Sequence, residues 1–282
     1  MHPDAPPSET ASDRVSITLD EAGVAHVRLT RADKMNALDP AMIAALLSAG
    51  DSLSAMPGLR CVVLSGEGRA FCAGLDLASM ASGLVGAEPL GARSHGNANR
   101  FQQMALQWRK LPVPVIAAIH GVCYGGGLQI TAGADIRIVA PDTRLSVMEL
   151  KWGIVPDMGH FALWRGLVRG DVLREMTYSH RVFTGSEAQQ LGFATHLDAD
   201  PLARANALAQ DIAAKNPHAI RAAKALFNQA EDAETDAILL AESAAQQALI
   251  GSPNQIEAVG SQMAGRAGRF VDPRDEWEGG AA

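Results

Sequence analysis

The sequence predicts an α/β protein with a helical C-terminal region, and three observations carry that expectation. Residues 60–65 and 113–119 are continuous apolar runs, the pattern of strands buried on both faces. Each run leads through a glycine turn toward helical text, first at Gly66-Glu67-Gly68 with a helix beginning near Asp76, then at Gly125-Gly126-Gly127. Strand signals stop at Thr195-His196-Leu197, and alanine-rich helical spacing fills 201–215, 218–230, 233–250 and 253–267.

The remaining elements follow in chain order. Residues 1–14 are polar and proline-rich where a signal peptide would need a basic start and an apolar stretch, and read as a loose tail. Val15 to Leu19 and Val24 to Leu29 are β-rich and separated by Asp20-Glu21-Ala22-Gly23, which predicts a hairpin. Asp39 caps a helix with Pro40 at its first position and Ile43, Leu46, Leu47 and Leu53 along it, and Pro57 and Gly58 end it. Residues 82–98 lack periodicity and are rich in Gly, Ala and Ser. They predict a mobile loop, a candidate lid or specificity segment, before a helix from about Asn99 to Lys110. Ile136 to Val139 and Arg144 to Val147 are short strands, and Thr184-Gly185-Ser186-Glu187 is a capping box opening a helix that stops at Gly192. The expected organisation is a tail (1–14), an α/β core (15–200), a helical region (201–270) and a second tail (271–282).

Composition narrows the classes. The chain has 282 residues, 48% hydrophobic and 20% charged, which suits a large globular domain with an appendage rather than a disordered or coiled-coil protein. A formal net charge of −7, with basic residues scattered, gives no footprint for nucleic acid. Cys61, Cys72 and Cys123 are odd in number and form no C-x-x-C pair, which argues against a disulfide framework or zinc knuckle and for a reducing, cytoplasmic location. The stretch between Lys110 and Asp135 carries no Asp, Glu, Lys or Arg and is long enough to span a bilayer of about 30 Å. Pro112, Pro114 and five glycines break it up, and His120 and Gln129 would be costly in lipid, so no membrane span is expected.

Several common chemistries lack their signatures. Gly66-Glu67-Gly68-Arg69-Ala70-Phe71 nearly matches a dinucleotide fingerprint, but Phe71 stands where the third glycine must allow close helix packing. The chain has no phosphate-binding G-x-x-x-x-G-K-[ST], no H-E-x-x-H metal motif and no G-x-S-x-G nucleophile elbow. What remains is the pair of glycine turns, each entering a helix whose first N–H groups lack partners. Two such turns could converge on one carbonyl oxygen as an oxyanion hole, although either turn alone is explained as well by close packing. Glu149 and Asp157 lie near the second turn, with Gly153 and Pro156 bending the chain between them, so both carboxyls could face one pocket. The alternative is a solvated loop charge for Glu149 and a helix cap for Asp157, while His160 reads as a surface or capping histidine.

Taken together, Arg69-Ala70-Phe71-Cys72-Ala73-Gly74-Leu75-Asp76-Leu77, Gly121-Val122-Cys123-Tyr124-Gly125-Gly126-Gly127-Leu128-Gln129 and the stretch from Asp135 to Gly159 resemble the crotonase (enoyl-CoA hydratase/isomerase) superfamily. Lys34-Met35-Asn36-Ala37-Leu38 belongs to the same resemblance, which covers about Val15 to Phe270. The resemblance implies a spiral of repeated β-β-α units, a helical C-terminal region used for oligomerisation in a homotrimer or dimer of trimers, and a coenzyme A thioester as substrate with no separate cofactor. It implies that the backbone N–H groups of Leu75 and Gly126 hold the thioester oxygen. By the same carry-over Cys72, Ala73, Gly74 and Gly127 lie along the coenzyme A path, and Lys34 lies near its phosphates. Glu149 falls on a catalytic glutamate shared by hydratases and several isomerases. The second hydratase glutamate is replaced here by Gln129, which cannot exchange a proton at neutral pH. Asp157 sits where dienoyl-CoA isomerases carry an aspartate paired with the shared glutamate, although those isomerases have an aspartate where this chain has Gln129. The resulting expectation is a double-bond isomerase of acyl-CoA thioesters acting through an enolate, with Glu149 and Asp157 as proton carriers and Gln129 orienting substrate or water. Enoyl-CoA hydration and a catalytically silent acyl-CoA-binding protein are the alternatives.

Overall fold

The computed structural model describes residues 9–11, 13–81 and 89–272. Asp20 makes the first turn: its carboxylate accepts the N–H groups of Ala22 and Val24 at 3.0 and 2.9 Å, reversing the chain between two strands. Those strands are Val15–Leu19 (β2) and Val24–Leu29 (β3), antiparallel as the hairpin predicts, with Glu9–Ala11 (β1) added antiparallel to β2. The expected loose tail therefore contains an edge strand. It is held by backbone pairing, so it leaves no alternating pattern in the sequence.

From β3 onward the sheet is parallel. Cys61–Gly66 (β4), Val115–Ile119 (β5), Ile136–Val139 (β7) and His196–Leu197 (β10) follow across it, giving the order β1-β2-β3-β4-β5-β7-β10. Successive residues alternate between two cores. Val24, Cys61, Val63, Ile116, Ala118 and Ile138 pack against Ala205 and Ala209, whereas Ala25, Val27, Val62, Leu64, Val115 and Ala117 join the larger core on the other face. Burial on both faces is why these strands read as continuous apolar runs. Val122–Tyr124 (β6), Arg144–Ser146 (β8) and Phe183–Thr184 (β9), interleaved with these in the chain, form a second sheet in the order β6-β8-β9.

Helices fill the connections. Pro40–Ala55 (α1) starts as expected, with the Asp39 carboxylate accepting the Met42 N–H at 2.7 Å. Leu77–Ala81 (α2) begins only after an irregular stretch beyond β4, so the dinucleotide-like glycines open no helix. Of the expected loop, residues 82–88 lie outside the described residues, while His95 and Ala98 exchange two backbone hydrogen bonds and Asn99 caps Arg100–Lys110 (α3) through a full capping box. Gly126–Ala132 (α4) carries the glycine triplet, followed by the short His160–Leu163 (α5), by Gly170–Ser179 (α6), and by Gly185–Leu191 (α7) behind its expected Thr184 capping box. The C-terminal helices are Pro201–Ala213 (α8), Pro217–Ala230 (α9), Thr235–Leu249 (α10) and Pro253–Met263 (α11). α8 covers the parallel sheet, and α9 is anchored by Lys224, whose ammonium donates to Trp108 O, Val113 O and Asp135 Oδ2 at 3.0, 2.8 and 2.7 Å. Among the described residues no helix is long and apolar enough to cross a membrane.

Candidate active site

The two glycine motifs meet because the strands beneath them pair. Cys72 and Cys123 form a parallel bridge, Cys72 donating its N–H to Val122 O at 3.1 Å and accepting from the Tyr124 N–H at 3.0 Å. A third segment clamps the first motif from the other side: the Leu38 N–H donates to Gly74 O at 2.8 Å, and the Asp76 N–H to Leu38 O at 3.1 Å. Leu75 lies between those two bonds, with its own N–H turned away from Leu38 and engaged by no protein acceptor among the described residues. Gly126 is the first residue of α4, so its N–H lacks an intrahelical partner. The two turns are in contact, and only glycine allows it. A side chain at Gly74, whose φ is +85°, would begin 2.7 Å from Tyr124 O and 3.5 Å from Gly126 N. Two unpartnered N–H groups on adjoining turns can hold one developing oxyanion.

Glu149 opens a 3-10 turn over Glu149–Trp152 directly after β8 and is 8% exposed. Its carboxyl lies against the second turn, since a Cβ on Gly125 would sit 3.3 Å from Glu149 Oε1. The Gln129 amide, on α4, donates to Glu149 Oε1 and accepts the Met158 N–H at 2.8 Å. Glu149 Oε2 is buried with no hydrogen-bond partner. Asp157, half-buried, precedes Met158; it does not cap α5, whose first turn follows Gly159 without a side-chain cap. Burial pushes the Glu149 carboxyl above its ordinary range and the Asp157 charge pushes it the same way, against hydrogen bonds from backbone and Gln129 that pull it down. Burial likewise raises the Asp157 carboxyl. The structure thus brings Glu149 and Gln129 together beside the Gly125–Gly126 turn, with Asp157 next to the Met158 N–H that Gln129 holds and Leu75 on the adjoining turn.

The other expected residues divide. Lys34 is exposed on a 3-10 turn over Ala32–Lys34, and its neighbour Met35 accepts the Ala73 N–H at 2.9 Å, which keeps the lysine close to the first motif. Cys72 is buried, with a thiol pushed up to about 12 by burial, so only backbone along 72–74 can face a ligand. Gly127 packs inward: a Cβ there would lie 2.5 Å from Cys72 O, a close-packing position rather than an open one. His160 is neither a surface nor a capping residue. It is 1% exposed, its Nε2 lies 3.2 Å from Thr177 Oγ1, and burial pushes its pKa down to about 4, so it is neutral near pH 7.

Two residues given no role from the sequence support the site. Arg31 donates to Ala37 O and Asp76 Oδ2 at 3.0 and 2.7 Å, and lies 3.4 Å from Asp39 Oδ2, tying the Leu38 segment to the first motif. Asn36 is fully buried at a φ of +54° and donates to Glu67 O, Ala70 O and Phe71 O. Their partners are distant in sequence, so no local pattern announces them.

Residues 20–268 match the enoyl-CoA hydratase/isomerase family. The chain is 32% identical to the mitochondrial Delta(3,5)-Delta(2,4)-dienoyl-CoA isomerase of Mus musculus over 235 residues, covering 79% of this chain and 71% of the relative. It is 30% identical to the peroxisomal enzyme of the same name from Arabidopsis thaliana, covering 89% of this chain and 94% of that one. The crystal structure of an enoyl-CoA hydratase from Mycobacterium smegmatis superposes with a TM-score of 0.78 at 29% identity, covering 90% of this chain and 98% of the other.

Proposed function

Because the chain belongs to the enoyl-CoA hydratase/isomerase family, whose members are isomerases or lyases, we propose that it is a double-bond isomerase of enoyl- or dienoyl-CoA thioesters working through an enolate. The thioester oxygen sits between the N–H groups of Leu75 and Gly126, which lowers the cost of removing a proton conjugated to the carbonyl. One of the two carboxyls, Glu149 or Asp157, takes that proton as carboxylate. The other, protonated, returns one at the far end of the conjugated chain, so mass is conserved and the two carriers exchange protonation states. Coenzyme A runs along 72–74, where the Ala73 carbonyl is free of backbone partners, with Lys34 near its phosphates. The scheme needs no cofactor besides the thioester. Three free cysteines suit a reducing, cytoplasmic compartment.

The observation that carries this reading is that Gln129 has both polar groups in use. A hydratase needs a second group to hold and deprotonate water, and here that position is an amide already committed to Glu149 and Met158. Hydration with Glu149 as the main acid/base is the second reading, favoured by the likeness to the mycobacterial hydratase. The test is to incubate the protein separately with a 2-enoyl-CoA and a 3,5-dienoyl-CoA and read product mass and absorbance. The expected result is a conjugation shift without mass change, largely lost in Asp157→Asn while acyl-CoA binding stays. A water adduct from the parent, or Asp157→Asn isomerising at the parental rate, overturns the isomerase assignment, and binding without turnover marks a silent acyl-CoA-binding protein.

The helical region, residues 201–270, is proposed as the oligomerisation surface of a trimer or dimer of trimers. Phe227, Leu240 and Met263 stand on it 76%, 73% and 86% exposed, more apolar surface than an isolated subunit would usually leave in water.

A further inference from the structure

The orientation of the Gln129 amide is determined by what it touches. The Met158 backbone N–H can only donate, so the amide oxygen faces Met158 and the NH2 faces Glu149. One side chain on α4 therefore holds two separate things: one oxygen of the Glu149 carboxyl, and the backbone immediately after Asp157. Glu149 is left with a second oxygen, Oε2, that is buried and meets no donor among the described residues. A buried carboxyl oxygen without a partner is rare in a structural ion, and it is the Glu149 oxygen whose hydrogen-bonding capacity is left for a reacting group.

We infer that Gln129 is a positioning residue whose amide locks Glu149 Oε1 and the Asp157–Met158 backbone into one frame, and so assigns proton exchange to Glu149 Oε2. This rests on the two-carboxyl reading of the site given above. Its chemical consequence concerns what position 129 tolerates. A carboxylic acid there can make both contacts only while it and Glu149 keep one proton between them, one carboxyl donating that O–H to the other and an oxygen at position 129 accepting from Met158. Once both are ionised, two carboxylates face each other and the frame opens. Position 129 therefore requires a neutral donor–acceptor, and a glutamate placed there is a pH-limited substitute rather than a third proton carrier.

The ionisable groups around the bridge are few. Asp157 is the charge that acts on Glu149. Arg100, Arg109 and Lys110 lie on α3, Tyr124 on β6, Lys151 on the Glu149 turn and the neutral His160 on α5, while the charges of α6 are exposed. α4 itself carries no titratable side chain, so a new titration in a position-129 variant belongs to the introduced residue.

Two variants test the inference, assayed for whichever product the parent forms. Gln129→Met keeps the length but makes neither contact. Its kcat is expected to fall by about 10²-fold, the scale of a misplaced catalytic group, with KM changed by less than about twofold. Gln129→Glu is expected to approach parental kcat at the acid end of the profile and to lose it as pH rises, through a descending limb that lies at lower pH than the parent's. Thermal melting and binding of a saturated acyl-CoA check folding, and if Gln129→Met does not fold, the pH profile of Gln129→Glu decides. Parental kcat in Gln129→Met, a parental profile in Gln129→Glu, or faster water addition by Gln129→Glu overturns the inference. A parent that only hydrates overturns the isomerase assignment instead, and the same two variants then judge the amide frame on the hydration rate.

Discussion

Two helices of this chain are opposites. All seven residues of α4 are buried, whereas none of the fifteen residues of α10 is. α4 carries Gly126 and Gln129 and is fixed on every side by its own chain: Cys72 beneath Gly127, Leu38 and Met158 against Gly126, Glu149 at Gln129. α10 packs on α9 and turns Leu239 and Leu240 outward, 54% and 73% exposed. A cleft of about 640 Å³ between α9 and the α5 region, lined by Leu163, Leu167, Ile220 and Phe227, continues that apolar surface. The difference separates two jobs. The candidate site is held together by contacts within the chain, and the helical region leaves apolar surface exposed.

The largest expected effect breaks the first half of that comparison. Glu149→Gln keeps the shape and can still meet Gln129, but removes the proton-exchanging carboxyl, so the rate should fall by about 10²–10⁴-fold under either enzymatic reading, with the fold unchanged. The parental pH profile sharpens the point. Because both carboxyls are held above their ordinary range, the ascending acid limb, on which a base must ionise, should lie above that range too. Stability follows the same sign: a carboxyl raised in the folded state favours folding below its unfolded pKa, and that contribution is lost as pH rises through the folded value. An unchanged rate in Glu149→Gln would remove Glu149 from the chemistry altogether.

An intermediate effect concerns the joint between the regions. Lys224 crosses from α9 into the core, its three donors all used, with burial lowering its pKa against the pull of Asp135. Lys224→Met strands two backbone carbonyls and leaves Asp135 with the Val115 N–H alone. Breaking such a buried pair costs about 3–5 kcal/mol. Chemical denaturation should show a loss of that order, while kcat per folded molecule stays near the parental value because no contact links Lys224 to Glu149 or Gln129. A stability change below about 1 kcal/mol would mean that α9 is held elsewhere, for instance through Arg109 with Glu231 and Arg165 with Asp232.

What could be read from the sequence follows the same division. The hairpin, the Asp39 and Thr184 caps and the two buried strands were legible because each is set by local periodicity or by a cap within a few residues. α6 has no such signal, and β1 pairs antiparallel with β2 at the edge of the sheet, inside the expected tail. Glu149 and Asp157 could be named as candidates, but their approach depends on Gln129 reaching from α4, and neither spacing nor composition encodes a contact spanning twenty-nine residues. His160 differs from its expected surface or capping role for the same reason: it is buried, with Thr177 of α6 at its Nε2. Gly127 belongs to the legible motif, yet its inward packing on Cys72 emerges only when β6 lies beside the first motif.

The smallest effect on the subunit should be the largest on assembly. Leu240→Glu changes an exposed position on α10 that has no buried neighbour on its own helix, so subunit stability should move by no more than about 0.5 kcal/mol. If the helical surface joins copies of the chain, a charge there must be desolvated on association, and the assembled form should give way to single subunits in light scattering at micromolar concentration. The contacts among Glu149, Gln129 and Met158 lie within one chain, so a dissociated chain is expected to retain the proton-transfer chemistry, and any rise in KM would show a neighbouring copy helping to hold the coenzyme A end. A parent that is already monomeric, or a Leu240→Glu protein that assembles as the parent does, would leave α10 with no role in association. A dissociated variant with parental kcat would confirm that the buried helix and the exposed one serve separable functions.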